Sequence, residues 1–205
     1  MNNRKVIENA LKPYMPYSSS DILFKSIELL KFSKDNCIRK ILLIGIEIII
    51  GILMSKSADT IAIYNDSLVI TNEVIIALFA VVFTGYSLFQ ALIGKKMLLY
   101  MVMEDSKTKP DMSCLQESNL YFVELMMIQF AIIIFNLAII LILKALPYDW
   151  CLLSSNGINE AFSSVLIAVS FNLNFEALWE TKSFVFNVFQ LFNIHAMSRV
   201  LDEDE

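Results

Sequence analysis

Long runs of apolar residues alternate with short polar segments along this chain of 205 residues. A helix needs about 20 mostly apolar residues to cross the hydrocarbon core of a bilayer. Several stretches approach that length, and we predict membrane spans at about 38–57, 72–94, 120–143 and 161–181. The pattern therefore predicts an all-α fold, an integral membrane four-helix bundle with short cytoplasmic amphipathic helices.

The polar segments set the predicted domain boundaries. Residues 1–36 form a cytoplasmic amphipathic N-terminal arm, residues 37–181 form the bundle, and residues 182–205 form a cytoplasmic amphipathic helix with an acidic tail. Pro13 and Pro16 divide the arm into two short helices, because proline interrupts helical hydrogen bonding. Ser20 or Asp21 is expected to cap the second of these helices, which has the pattern of a helix lying on an anionic membrane surface.

Lysine and arginine are unevenly distributed between the polar segments. Residues 1–40 contain eight of them, and the three following connections contain one, four and one. Cytoplasmic segments of membrane proteins retain positive charge. The alternation therefore predicts that the N-terminus, the middle loop and the C-terminus are cytoplasmic and that Cys151 is external.

Composition narrows the function classes. Hydrophobic residues make up 57% of the chain and charged residues only 18%, whereas soluble domains carry about a quarter charged residues. The net charge of -5 argues against direct nucleic-acid binding. Three cysteines without a Cys-x-x-Cys pair and the single His195, interpreted as a surface or packing residue, predict no metal site and no cofactor. No catalytic motif is present, so we do not expect an enzyme.

Small residues recur along one face of the second predicted span at steps of three and four. Small side chains let helices approach closely in lipid, where apolar burial gives helices little reason to associate. We expect this face to pack against span one or span three of the same chain, with a subunit interface as the alternative. The face consists of Ala77, Ala80, Thr84, Ser87, Ala91 and Gly94.

Polar residues also lie inside the first and third spans. Gln129 and Asn136 share a face of span three and are expected to hydrogen-bond a neighbouring helix. Glu47 lies near the middle of span one, where an acid is costly and needs a partner. A protonated Glu47, or one bonded to the amide of Gln129 or Asn136, would meet that need.

Span four has a polar stripe that continues beyond the predicted membrane. At 100° per residue its members fall within an arc of about 80°. One interpretation is a pore or proton-sensitive path, assembled by oligomerisation. The other is that Glu176 and Glu180 lie at the interface near Lys182. The helix is expected either to continue into the cytoplasm or to bend near 180–182. The stripe consists of Asn172, Glu176, Glu180, Ser183, Asn187 and Gln190.

The stretch from Val82 to Leu92, followed by Lys95 and Lys96, resembles small four-span proteins of bacterial operons. In size and layout the chain is similar to the membrane subunit of Kiwa-type antiphage systems. That resemblance implies a homo-oligomeric sensor in the bacterial inner membrane. It also implies a separate cytoplasmic partner that binds nucleic acid.

Three functional hypotheses follow. The first is a non-enzymatic membrane sensor or scaffold that recruits a cytoplasmic protein partner, in antiphage defence. The second is an oligomeric pore or membrane-depolarising effector, motivated by the polar stripe. The third is an immunity protein that blocks a membrane toxin through helix contacts.

Overall fold

A computed structural model describes residues 18–31, 36–106, 112–147, 150–151 and 155–203. These residues are helical, apart from loops and an isolated bridge between Asp105 and Ser113. The all-α class is therefore confirmed for the described part of the chain. The helices are α1 (Ser19–Ser26), α2 (Cys37–Ser55), α3 (Thr60–Leu92), α4 (Lys95–Met103), α5 (Cys114–Ala145) and α6 (Asn156–Glu203), with a 3₁₀ turn at Ile27–Leu30 after α1.

Among the described helices, α3, α5 and the part of α6 from Asn156 to Gln190 are long and apolar enough to cross a membrane. Three predicted spans therefore have a helical counterpart with the composition that a bilayer requires. Helix α2 has 19 residues and is also rich in isoleucine, but it contains Arg39, Lys40 and Glu47. Its relation to the membrane depends on where those charges point.

The helices are longer than the apolar runs that predicted them. Helix α3 begins at Thr60 rather than near 72, and α5 begins at Cys114 rather than near 120. Helix α6 has 48 residues, about 72 Å at 1.5 Å per residue, and it passes 180–182 without interruption. Hydropathy detects only the apolar part of each helix, whereas backbone hydrogen bonding continues into polar flanks that lack proline.

The chain forms two compact units, a division that the sequence did not indicate. The first, called the α2 unit, comprises Leu30–Phe79 and Gln129–Trp179. The second, called the middle-loop unit, comprises Met1–Leu29, Ala80–Ile128 and Glu180–Glu205.

Within the α2 unit, helices α2 and α6 approach closely at a glycine. A Cβ atom at Gly51 would lie 2.5 Å from the carbonyl oxygen of Ser164, so only glycine fits there without a shift. Gly45 on another face of α2 has no such neighbour. The same unit has an apolar core of Tyr64, Leu68, Ile140, Ile167 and Phe171.

Within the middle-loop unit, aromatic rings surround Phe122. Its ring centroid lies 5.2 Å from that of Phe89, 5.6 Å from Tyr86 and 5.5 Å from Phe184. The ring of Phe184 also packs directly over Gly85, where a side chain would collide with it. These contacts hold the second half of α3 against α5 and α6.

Helix α1 begins at a capping box. The Ser18 side chain accepts a hydrogen bond from the Asp21 amide, and the Asp21 side chain accepts one from the Ser18 amide. The cap is therefore Ser18, and the prediction of Ser20 or Asp21 as the cap was wrong. The Ser18 amide lowers the pKa of Asp21 because it stabilises the charged carboxylate. The first predicted arm helix lies outside the described residues.

The small-residue face of α3 points away from the protein. Ala77, Ala80, Thr84, Ser87, Ala91 and Gly94 are all exposed. The buried face consists of larger residues, including Ile75, Val82 and Phe89, which lie on the opposite side of the helix. The expected packing of the small residues against another helix of the same chain is therefore wrong. The larger side chains fill the interior because they offer more area for contact.

Candidate functional site

Helix α2 exposes its apolar residues and buries its charges. Lys40 and Glu47 are buried, together with Gly51 and Ser55. A helix in water normally shows the opposite pattern, with a buried apolar stripe. Acids and bases of membrane helices instead face the protein interior. The most exposed apolar residues, between 53% and 77% accessible, are Ile38, Ile41, Leu42, Ile46, Ile49 and Leu53.

Three charged side chains meet where α2 begins. The Oε2 atom of Glu176 accepts a hydrogen bond from Nη2 of Arg39 at 3.1 Å and forms an ion pair with Nζ of Lys40 at 3.2 Å. The side chains of Lys40 and Glu176 are only 2% and 3% exposed. The Arg39 guanidinium also lies over the ring of Trp179, 4.5 Å from its centroid. Glu176 thus shares its charge between Arg39 and Lys40, and the aromatic face of Trp179 stabilises Arg39 further.

Lys40 connects this ion pair to the N-terminal arm. Its Nζ atom also donates a hydrogen bond to the carbonyl oxygen of Leu30 at 2.6 Å. Leu30 is the last residue of the 3₁₀ turn that follows α1. A single buried ammonium group therefore joins the end of the arm to helix α6.

Glu47 lies further along α2 and is 1% exposed. Its Oε2 atom accepts a hydrogen bond from the Asn172 amide at 2.8 Å. Its Oε1 atom is buried and has no hydrogen-bond partner among the described residues. We call Arg39, Lys40, Glu47 and Glu176 the charge cluster.

The amide groups of Gln129 and Asn136, which were expected to bind Glu47, do not form a hydrogen bond with it. Asn136 donates to Asn174 at 2.8 Å and to Asn72 at 3.3 Å, and Asn174 donates back to Asn136 at 3.2 Å. Asn136 thus links α5 to α3 and α6 as the sequence predicted, but it does not bind Glu47. Gln129 is fully buried in the same unit. The amide partner of Glu47 is Asn172, so the suggested pairing with Asn136 was wrong.

The residues of the polar stripe on α6 differ in burial and do not form one continuous surface. Asn172 and Glu176 contact α2 side chains, as described above. Glu180 and Ser183 are half-buried, whereas Asn187 and Gln190 are exposed. The side chain of Glu176 is almost fully enclosed by the protein and does not extend into solvent. Its position at the membrane interface stays a prediction. The side chain of His195 lies outside the described residues.

A cavity of about 680 Å³ opens at the other end of the α2 unit. Two of its hydroxyl groups already bond inside the protein: Thr60 donates to backbone carbonyl groups and Tyr64 bonds to Ser170 at 2.6 Å. The remaining wall is largely apolar, with Phe135, Ile139 and neighbouring residues. The lining also includes the polar residues Asn156, Asn159 and Glu160.

Sequence reasoning identified Glu47, Asn172 and Glu176 but missed the cations that partner them. Arg39 and Lys40 were counted only as cytoplasmic charges that orient the chain. The sequence did contain a signal. Lys40 precedes Glu47 by seven positions, which is two helical turns, so the two residues lie on the same face of α2. In the described part of the chain, no group of three His, Cys, Asp or Glu residues is arranged to hold a metal ion.

No protein-family model, curated protein or solved structure matches this chain. Its function therefore has to be inferred from the geometry of its own residues.

Proposed function

We propose that the chain is a four-span protein of the bacterial inner membrane, with α2 as the additional span. Helix α2 has 19 residues, about 28 Å at 1.5 Å per residue, close to the roughly 30 Å of the hydrocarbon core. Its outward face is apolar, and its charges are enclosed by α6 and by the end of the arm. The distribution of lysine and arginine supports cytoplasmic termini.

The proposed topology predicts which native thiol is external. In intact cells, a membrane-impermeant maleimide is expected to label the exposed Cys151 and to leave Cys37 and Cys114 unlabelled. Cys151→Ser should abolish the labelling. Adding Ala58→Cys to that variant should restore it, because exposed Ala58 precedes α3 on the same predicted side. Labelling of Cys151 only after the membrane is permeabilised would contradict this orientation.

We infer that the protein acts as a membrane sensor or scaffold that recruits a cytoplasmic protein partner. The observation that carries this proposal is the bond from Lys40 to both Leu30 and Glu176. Leu30 ends the 3₁₀ turn that follows α1, so a rearrangement of the buried charges would act on this turn. The arm also presents apolar side chains, with Phe24 70% exposed and Ile27 46% exposed. A role in antiphage defence is part of the proposal and rests on the architectural resemblance.

Self-association belongs to the same proposal. The small-residue face of α3 is exposed along the helix, and the hydroxyl groups of Thr84 and Ser87 bond to carbonyl groups of their own helix. The side chains of this face are small, and the Thr84 and Ser87 hydroxyl groups already have hydrogen-bond partners. Both properties favour close contact with a second copy of the chain. The pore alternative has less support, because Asn172 and Glu176 are already bonded within the chain. No observation favours the immunity alternative.

Photocrosslinking tests recruitment directly. A photoreactive amino acid in place of Phe24 is expected to yield an adduct with a soluble protein after illumination of living cells. The matched position is Ile49, which is 58% exposed on the apolar face of α2 and should yield only adducts with lipid or with a second copy. If position 24 also yields adducts only with lipid or with a second copy, recruitment through the arm is refuted.

A deletion provides the biological readout. Removing residues 1–29 and 196–205 should restore plaque formation by a phage that the intact system blocks. Cys151 labelling of the deletion variant is the control for insertion. Full protection by an inserted deletion variant would contradict the proposal.

A further inference from the structure

Four helix ends of the α2 unit meet around the cavity of about 680 Å³. Its lining includes Ser55 at the end of α2, Thr60 at the start of α3 and Asn156 at the start of α6. Leu146, which directly follows α5, lines the same part of the wall. One end of the cavity is therefore formed by helix ends and their connections, which contribute its polar residues.

The rest of the lining is apolar and extends into the unit. Phe135 lies ten residues before the end of α5, and Ile167 lies eleven residues after the start of α6. At 1.5 Å per residue, both positions are about 15–17 Å from those helix ends. Ligand pockets typically have volumes of about 300–1,000 Å³ and a mostly apolar lining. The cavity thus has the length and the lining to hold an alkyl chain. The apolar residues between the two ends include Ile139, Ile142, Leu143 and Leu166.

The polar end of the cavity is negatively charged. Among the described residues that line it, Glu160 is the one with a charged side chain. Glu160 is exposed, it lies just before the predicted span at 161–181, and no described residue forms an ion pair with it. Helix dipoles do not reverse this sign, because α3 and α6 begin at the cavity whereas α2 and α5 end there. The ring of Trp150, 44% exposed in the same wall, offers an aromatic face that can stabilise a cation.

From these features we propose that the cavity binds an amphiphile with an alkyl chain and a positively charged ammonium head group. The chain lies among the apolar side chains of α5 and α6, and the head group lies beside Glu160 and Trp150. This inference goes beyond the proposed function, because binding requires no partner protein. Two sources have this chemistry: phosphatidylethanolamine of the membrane and a free cationic amphiphile.

Protection of a native thiol tests the site, because Cys151 is an exposed lining residue. The probes are dodecyltrimethylammonium, dodecanol and dodecyl sulfate, which share one alkyl chain and differ in the charge of the head group. The full-length chain with Cys37→Ser and Cys114→Ser is placed in nanodiscs of digalactosyldiacylglycerol, an uncharged lipid without an amine. We expect dodecyltrimethylammonium to slow labelling by an uncharged maleimide several-fold, dodecanol to slow it less and dodecyl sulfate least.

The matched control is Gly157→Cys in a chain whose native cysteines are all replaced by serine. Gly157 is exposed in the first turn of α6 and lies outside the lining, and a Cβ atom there meets nothing within 4 Å. Labelling at position 157 should not be slowed by any probe, so it reports unspecific effects on the membrane surface. Equal slowing at positions 151 and 157 would overturn the proposal.

Two variants test the two parts of the ligand separately. Glu160→Gln should retain protection by dodecanol and remove the advantage of dodecyltrimethylammonium over it. Ser163→Phe places a ring in the half-buried wall and should reduce protection by all three probes, because it fills space that the chain needs. Preference for dodecyl sulfate, an unchanged cation preference in Glu160→Gln, or no protection by any probe would overturn the proposal.

The lipid composition distinguishes the two sources of the ligand. If labelling of Cys151 is slowed by adding phosphatidylethanolamine to the nanodiscs without any probe, the occupant is a membrane lipid. If only dodecyltrimethylammonium slows it, the occupant is a free cationic amphiphile. Neither measurement involves the photocrosslinking position Phe24 or a partner protein. Failure of the ligand site and failure of the recruitment proposal can therefore be distinguished.

Discussion

Glu176→Gln is expected to lower the free energy of unfolding by about 3–5 kcal/mol, the usual cost of removing one partner of a buried ion pair. The variant keeps the shape of the side chain but removes the negative charge that Glu176 places beside the Lys40 ammonium. Lys40 is only 2% exposed, so water cannot replace the carboxylate. The measurement is thermal or denaturant unfolding of the purified protein in one detergent, with the yield of folded protein as a second readout.

The matched control is Glu180→Gln, one helical turn further along α6. Glu180 is half-buried, so the same chemical change there should have a much smaller effect. The combination Lys40→Met with Glu176→Leu should recover most of the lost stability, because an apolar pair can replace a buried ion pair at little cost. Equal effects of the two glutamine variants would show that the ion pair contributes nothing particular to stability.

Gly51→Leu is expected to separate α2 from α6 and to destabilise the protein by about 1–3 kcal/mol or more, the range of overpacked interiors. Its Cβ atom would lie 2.5 Å from the carbonyl oxygen of Ser164, a backbone atom that cannot rotate away. The shift should also lengthen the contact between Glu47 and Asn172. Unfolding measurements and the reactivity of Cys37 would detect both effects.

Gly45→Leu is the control for helix propensity and added volume, because a Cβ atom at Gly45 meets nothing within 4 Å. It should leave stability unchanged or raise it slightly, since leucine favours helix more than glycine does. A loss at position 45 as large as that at position 51 would contradict the close approach of α2 to α6.

Hydropathy predicted three long apolar helices that the structure contains, because a run of apolar residues long enough to cross a bilayer has few other uses. It placed their ends poorly. Helix α3 begins at Thr60, and its first 14 residues mix apolar side chains with polar ones such as Asp66 and Glu73. The division of the chain into two units was not predictable, because it depends on which segments contact each other rather than on any local pattern.

The candidate site was predicted in part. Three residues could be selected from the sequence because polar side chains are rare in apolar helices of membrane proteins. They are Glu47, Asn172 and Glu176. Their pairing was not predicted. Arg39 and Lys40 were counted only among the positive charges that orient the chain. In the structure Lys40 turns inward, since Glu176 and the Leu30 carbonyl offer it partners there.

The sequence by itself determined that the chain is helical, that it contains segments apolar enough for a membrane, and that a few polar groups must be enclosed among them. These properties follow from composition and periodicity, which can be determined without knowing which helices contact each other in the folded chain. Only the tertiary structure decided which face of each helix is enclosed. The small-residue face of α3 points outward, whereas α2 turns its charges inward. Periodicity defines a face, but the partner that covers it is chosen by shape and charge on another helix, far away in sequence.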